Sequence, residues 1–303
     1  MSGDPLNLYL HNPPTMKKIF TLFIVVLACA PAFAQHPVLV TAQWLNEHKS
    51  DPDVVILQVS FMKYEYDQSH IPGAQFLWPE SLAPNSPYGS YNAPDVKQAT
   101  NVVRGFGINN NSHIIIYYVR NELPAAARMF LTLEHFGLKG KVSMLNGGMD
   151  AWKKEGYPTN AEIPAVKKGN AKLTAGNLLV DKEYVLKTLK NENSKVVDAR
   201  MQRFYDGEPT GNPRDGHIAG AGNIPYTDLT DAANMLKTDA ELEKYFAPVA
   251  SKDKELVAYC FIGQTASVVY LAGRELGYNM KLYDGSMQEW SRLENLPMET
   301  TKK

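Results

Sequence analysis

Apolar and polar positions along this chain fall into short alternating blocks rather than one continuous period. Apolar runs of strand length occur at Val54 to Val59, His113 to Tyr118, Lys195 to Ala199 and Leu256 to Tyr259. Between and after them lie segments with helical spacing: Thr41 to Lys49, about Pro124 to Phe136, Asp181 to Asn191, and about Thr265 to Leu276. Thr41 and Asp181 stand where an N-cap oxygen can accept from the unpaired N–H groups of a first helical turn. Near-continuous apolar strands alternating with helices predict βαβ units and mainly parallel sheets covered on both faces.

The pattern occurs twice. His70-Ile71-Pro72-Gly73-Ala74 returns as His217-Ile218-Ala219-Gly220-Ala221, and Leu145-Asn146-Gly147-Gly148-Met149-Asp150-Ala151-Trp152 returns as Tyr283-Asp284-Gly285-Ser286-Met287-Gln288-Glu289-Trp290. The spacing between copies is the length of a domain, not of a solenoid repeat. Pro158 to Gly176, rich in Lys, Pro, Gly and Asn, reads as the linker. The expected organisation is an upstream segment and leader over 1–34, a first domain over 36–157, a linker over 158–176 and a second domain over 177–303.

The start of the chain predicts the compartment. Met16-Lys17-Lys18 is a basic segment, Ile19 to Ala30 is an apolar run too short to span a bilayer, and Ala32-Phe33-Ala34 is an A-x-A cleavage site. Together they read as a secretory signal peptide with Gln35 as the new N-terminus, and hence an exported, periplasmic or secreted protein with no membrane attachment after cleavage. Val26-Leu27-Ala28-Cys29 loosely resembles a lipobox, so lipid anchoring through Cys29 is the alternative. With 31 basic and 32 acidic residues the formal net charge is −1, which gives no support to nucleic acid as a partner. The seven histidines are scattered and the two cysteines far apart, so no metal-ligand spacing appears and no metal or cofactor is expected.

Once the leader is removed, Cys260 is the one thiol of the chain. It lies in Leu256-Val257-Ala258-Tyr259-Cys260-Phe261-Ile262-Gly263-Gln264-Thr265-Ala266, an apolar strand, a turn with glycine and a helix start. Unpaired N–H groups and the helix dipole favour a thiolate there, so Cys260 is the candidate nucleophile. The bland alternative is a small buried core residue. The backbone of Phe261, Ile262, Gly263, Gln264, Thr265 and Ala266 is the candidate cradle for an anionic sulfur. Gly263 would let the loop curl through a positive φ, and Thr265 would start the helix.

Val197-Asp198-Ala199-Arg200, Gly216-His217-Ile218-Ala219-Gly220-Ala221, Tyr259-Cys260 with Gly263 and Thr265, and Asp284-Gly285 with Trp290 resemble the successive signatures of the rhodanese family. The chain resembles a tandem-domain sulfurtransferase of the thiosulfate or 3-mercaptopyruvate type over nearly all its length after the leader. That resemblance implies an α/β fold with two rhodanese-like domains, each a mainly parallel five-stranded sheet flanked by helices. It implies an inactive first copy, a catalytic second copy and a site near their interface. It also implies a Cys260 persulfide, loaded from a small donor and discharged to a thiol, cyanide or protein acceptor. A non-catalytic persulfide carrier or thiol-sensing module is the other reading.

The first copy carries no thiol at the matching position, placed near Val119, and has Gln58 and Ser60 where the second has Asp198 and Arg200. Asp198 and Arg200 are expected to brace the site as an ion pair. The second copy departs from the family at its donor determinants. Thiosulfate enzymes resemble Cys-Arg-Lys-Gly-Val-Thr at this loop and mercaptopyruvate enzymes Cys-Gly-Ser-Gly-Val-Thr, whereas Phe261 and Ile262 match neither. Arg203 and Arg214 are the candidate anion holders, with solvated loop charge as the ordinary alternative. His70 is a third substrate-binding candidate; scaffold histidines are more common. Trp152 and Trp290 read as core. A phosphatase of this loop type would need an arginine within 261–267, and a thioredoxin-like enzyme a second cysteine at position 263; neither is present.

Overall fold

The computed structural model describes Met1, Gly3, residues 35–85 and residues 89–301. Residues 35–303 form one compact unit. The segment read as a leader, its expected cleavage site and Cys29 lie outside the described residues.

Two sheets organise the unit. The first contains β1 (Leu39–Val40), β2 (Val54–Val59), β3 (Gln75–Leu77), β4 (His113–Tyr118) and β5 (Val142–Leu145), in the order β1-β5-β4-β2-β3 and parallel throughout. Its helices are α1 (Ala42–His48), α2 (Lys63–Gln68), α3 (Val96–Gly105), α4 (Leu123–Leu133) and α5 (Gly148–Lys154). In the second half, β6 (Leu179–Val180), β7 (Ser194–Asp198), β8 (His217–Ile218), β9 (Gly222–Asn223), β10 (Glu255–Tyr259) and β11 (Asn279–Tyr283) follow, with β12 (Met298–Glu299) at the end. The five-stranded order β6-β11-β10-β7-β9 repeats the first sheet, while β8 pairs antiparallel with β12 beside it. The second set of helices is α6 (Lys182–Thr188), α7 (Gln202–Tyr205), α8 (Asp239–Phe246), α9 (Ala266–Glu275) and α10 (Ser286–Trp290).

Local chemistry sets the element ends. Thr41 Oγ1 accepts the Trp44 N–H at 3.1 Å and Asp181 Oδ1 accepts that of Tyr184 at 2.9 Å, so both expected N-caps are made. Thr238 and Glu241 form a reciprocal capping box on α8, a helix the periodicity did not bring out. The expected strands over 54–59 and 113–118 match in full, and the one over 195–199 lies one residue earlier.

Strand periodicity then decides what faces what. Ile115 and Tyr117 of β4 belong to an outer cluster with Leu45 and Trp152, and Val257 and Tyr259 of β10 belong to its counterpart with Val185 and Trp290. The alternate residues, Ile114, Ile116 and Tyr118 in one strand and Leu256, Ala258 and then Cys260 in the other, enter a single cluster common to both halves. There α4 packs against α9. Glu134, just past α4, accepts Tyr270 Oη at 2.6 Å and Arg274 Nη2 at 3.0 Å across the same boundary. Further reciprocal pairs cross it: Asn146 with the backbone of Leu236, and Gln288 with the backbone of Ser90.

The register corrects one expectation. The Tyr117 hydroxyl accepts Ile71 N–H at 3.3 Å, as the Tyr259 hydroxyl accepts Ile218 N–H at 3.0 Å. Tyr117 is therefore the counterpart of Tyr259, and Tyr118, not Val119, stands opposite Cys260. The Tyr118 hydroxyl donates to the Asn234 carbonyl of the second half at 2.6 Å.

Because the inner faces share one core, residues 177–303 expressed alone would expose several large side chains. Each contributes roughly 1.5–3 kcal/mol when buried. The fragment is expected to aggregate or to lack a cooperative thermal transition in size-exclusion chromatography and calorimetry. A monomeric fragment melting as cooperatively as the full chain would show that the second half needs no cover.

Candidate active site

Cys260 follows β10 directly and is 1% exposed. It leaves the strand on the inner face, within the cluster common to both halves. Its Sγ accepts the Gly263 N–H at 3.2 Å, closing a turn of the kind expected from the sequence. Gly263 has φ +82°, a conformation L side chains rarely adopt. Thr265 precedes α9 with helical backbone angles, but its hydroxyl makes no capping bond. In the first turn of α9 the Ser267 and Val268 N–H groups are taken by the Gln264 and Thr265 carbonyls at 3.1 and 3.0 Å, so an anion would be met by the loop amides before Ser267.

The floor of the loop is fixed from the end of β11. The Ser286 hydroxyl accepts the Cys260 N–H at 3.3 Å and donates to the Tyr283 carbonyl at 3.0 Å. The Cys260 and Phe261 carbonyls accept the N–H groups of Met287 and Gln288 at 3.0 and 2.9 Å. Ser286 is fully buried and has φ +49°; its counterpart Gly148 has φ +54°. A serine in left-handed backbone costs of order 1–3 kcal/mol unless its surroundings hold it, and here its hydroxyl bridges two strand ends. The repeat itself contained this signal, since Gly147-Gly148 becomes Gly285-Ser286, but the sequence assigned Ser286 no role.

Asp198 and Arg200 meet as expected. Arg200 Nη2 donates to Asp198 Oδ2 at 2.6 Å and to the Gly216 carbonyl at 2.7 Å, and both residues are buried. Burial works against the Arg200 charge, but the hydrogen bond and charge of Asp198 outweigh it, with smaller support from Tyr259 and Cys260, and hold the guanidinium above its ordinary range. Arg200 Nη1 is buried without a hydrogen-bond partner among the described residues. The Arg200 guanidinium lies 5.0 Å from the Phe261 ring centre, and Phe204 meets that ring edge-on at 5.3 Å. Ile262 is partly buried against the shared core.

The three substrate-binding candidates fall in different places. Arg203 is exposed on α7, its guanidinium 4.5 Å from the Phe204 ring centre and so beside the Phe204–Phe261 pair. Arg214 is turned into the scaffold: its guanidinium donates to the carbonyls of Ser291, Leu296, Trp290 and Leu293 at 2.6–3.1 Å, which leaves little to hold an anion. His70 is fully buried, with Nδ1 2.6 Å from the Tyr66 carbonyl, Nε2 3.0 Å from the Glu162 carbonyl, and its ring stacked on Tyr66. His217 does the same in the second half, stacked on Tyr205 with Nδ1 2.7 Å from that residue's carbonyl. Both histidines order loops, and the structure does not turn His70 toward the thiol. Trp152 and Trp290 are fully buried, each donating its ring N–H to a proline carbonyl.

The first half adds residues that the sequence had not singled out. Arg128 of α4 is 0% exposed, and its Nη2 donates to Asp284 Oδ1 at 2.6 Å. Asp284 Oδ2 accepts the Ala93 N–H at 3.0 Å, so a segment of the first half is tied to the end of β11. The available signal was a lone charge inside the apolar run Leu123-Pro124-Ala125-Ala126-Ala127-Arg128-Met129-Phe130. A cleft of about 670 Å³ opens beside this junction, bordered by Asn92, His135, Tyr184, Asp284 and Gln288.

Two α/β halves of identical strand order, with a buried cysteine on the loop after the central strand of the second, define a duplicated parallel-sheet protein with one thiol loop. The rhodanese-like domain family matches residues 41–155 and again 181–293, and the chain belongs to the rhodanese family. It is 32% identical to a 3-mercaptopyruvate sulfurtransferase of Escherichia coli K12, over 87% of this chain and 98% of that protein. It is 30% identical to the sulfur carrier protein TtuD of Thermus thermophilus, over 88% of this chain and 98% of that protein. The crystal structure of SseA, a 3-mercaptopyruvate sulfotransferase from Escherichia coli, superposes with a TM-score of 0.73 at 32% identity, covering 82% of this chain and 98% of that one.

Ser286 gives a direct test of how the loop is held. Ser286→Ala keeps the left-handed strain and orphans the buried Cys260 N–H, a loss of about 1–3 kcal/mol. Ser286→Gly loses the same bond but relieves the strain. Thermal denaturation is expected to rank wild type above Gly and Gly above Ala. An alanine variant as stable as wild type would remove the hydroxyl from the account.

Proposed function

We propose that this protein is a sulfurtransferase that carries a sulfane sulfur on Cys260 from a small donor, 3-mercaptopyruvate or thiosulfate, to a thiol or cyanide. The observation that supports this most is the Gly263 N–H directed at the Cys260 sulfur within a loop that opens a helix. The Cys260 thiolate attacks the donor sulfur and a new S–S bond forms. With 3-mercaptopyruvate the C–S bond breaks, carbon keeps the electron pair as the enolate of pyruvate, and that carbon is then protonated. With thiosulfate the S–S bond breaks and sulfite leaves with the pair. The acceptor then attacks the outer sulfur and the Cys260 thiolate departs, which restores the enzyme. The N–H groups of the loop stabilise negative charge on either sulfur state.

The same geometry supports a donor preference. Phe261 is engaged with Arg200 and Phe204, and Ile262 packs toward the core, so neither offers the cations that hold a dianionic sulfonate. Arg203 is the candidate cation nearest this aromatic pair. A monoanionic donor needs fewer charge-assisted hydrogen bonds, and 3-mercaptopyruvate is therefore the favoured one.

We also propose export to the periplasm or outside the cell, through the leader ending at Ala34. Just beyond it the His36 N–H donates to the Gly140 carbonyl at 3.0 Å, so the chain already belongs to the first half there. No helix among the described residues is long and apolar enough to cross a membrane.

Cys260→Ser is expected to remove sulfur transfer to cyanide from either donor while leaving the thermal transition intact; appreciable turnover in the purified variant would falsify the mechanism. Loading of wild type without turnover would instead favour a dedicated carrier. A second measurement concerns the donor. Phe261→Arg would set a second guanidinium against Arg200, so Ile262→Lys is the cleaner change. It is expected to raise kcat/KM for thiosulfate relative to 3-mercaptopyruvate by about tenfold, the equivalent of about 1.4 kcal/mol and near the lower range for one charge-assisted bond. A wild type that already strongly prefers thiosulfate contradicts the proposed preference.

A further inference from the structure

Resting on the persulfide reading above, we propose that Arg128 is a positioning residue that the non-catalytic first half supplies to the sulfur-bearing loop of the second. It holds the curl at Gly263 and lends that loop a buried positive charge. Three observations converge on it. Arg128 is fully buried, yet its Nε and Nη1 have no hydrogen-bond partner among the described residues. Its Nη2 is fixed by Asp284, so the orientation of the guanidinium is set. And a Cβ built on Gly263 would lie 3.1 Å from Arg128 Nη1, which places the unpaired side of the guanidinium against the residue whose N–H reaches the Cys260 sulfur.

The burial is costly if the group does nothing beyond joining the halves. An unpaired N–H in a protein interior carries a desolvation penalty, and an apolar side chain could fill the same space between α4 and α9 without one. A planar, permanently charged guanidinium is suited to a site where negative charge appears during turnover. The surroundings on the first half share this character. The Tyr91 hydroxyl and Glu122 Oε2 are likewise buried without hydrogen-bond partners among the described residues; burial and the Glu80 charge push the Tyr91 hydroxyl up, and the Arg128 charge works against them. At Phe261 of the same loop, Arg200 also presents a buried Nη1 without a hydrogen-bond partner among the described residues. One arginine from each half thus flanks the Cys260 loop. This gives the first half a part in sulfur transfer although it has Tyr118 where the second has the thiol.

The test compares Arg128→Lys with Arg128→Met in the full chain. Both lose the Nη2 hydrogen bond to Asp284, so both are expected to melt at lower temperature. Persulfide formation from 3-mercaptopyruvate, followed in a single turnover per folded molecule, is expected to fall tenfold or more in Arg128→Met and less than about threefold in Arg128→Lys, because only lysine keeps the charge. Equal slowing in the two variants, or none in either, overturns the proposal and leaves Arg128 as interface scaffold. A readout on wild type needs no stable variant: the Arg128 Nε–H resonance, assigned by its disappearance in Arg128→Lys or by through-bond correlation, is expected to shift when Cys260 is loaded. A resonance unchanged in a protein shown by mass spectrometry to carry the extra sulfur also overturns it. If wild type takes up no sulfur at all, the persulfide reading fails instead, and the two failures remain distinct.

Discussion

The rest of the structure depends on the packing of α4 on α9, which joins the helices covering the inner face of each sheet into one core. Alternate residues of β4 and β10 point into one apolar cluster, with α4 against α9 at its centre. Alternation with period two carries Cys260 onto this inner face, because Leu256 and Ala258 are there. Strand geometry therefore places the thiol in the core that the two halves share, where it is 1% exposed.

Within that enclosure charge is arranged sparingly. Asp198 pairs with Arg200 and Asp284 with Arg128, so two carboxylates offset two guanidiniums around one small loop. Each arginine keeps at least one buried N–H without a partner among the described residues, while the loop contributes the Gly263 N–H to sulfur. Such preorganised donors need no rearrangement when negative charge develops, and the low dielectric strengthens each of them. Positions 261 and 262 of the loop hold no cation: Phe261 and Ile262 are both drawn into packing.

Much of this was legible in the sequence because it is local or repeated. The central strands, the Thr41 and Asp181 caps, the duplication and the Cys260–Gly263 turn all follow from periodicity or from a residue's own conformational limits. What was not legible depends on contacts distant in sequence. Val119 looked like the partner of Cys260 until the hydrogen bonds of Tyr117 and Tyr259 set the register one residue earlier. Arg214 and His70 looked available because exposure cannot be read from a motif; one is anchored to four carbonyls, the other lies between two. Arg128 acts on a loop more than a hundred residues away, and only the docking of the two halves brings them together. Ser286 was visible as a departure from the repeat, but its meaning required knowing that the backbone there is left-handed.

The central claim is that sulfur is held covalently on Cys260 between donor and acceptor. The most direct measurement is mass spectrometry of the peptide containing Cys260, after incubation with 3-mercaptopyruvate or thiosulfate and again after cyanide. The account predicts one additional sulfur atom on that peptide, removed by cyanide with release of thiocyanate. An unmodified Cys260 peptide in protein that turns the donor over, or an added sulfur that cyanide cannot remove, would contradict it.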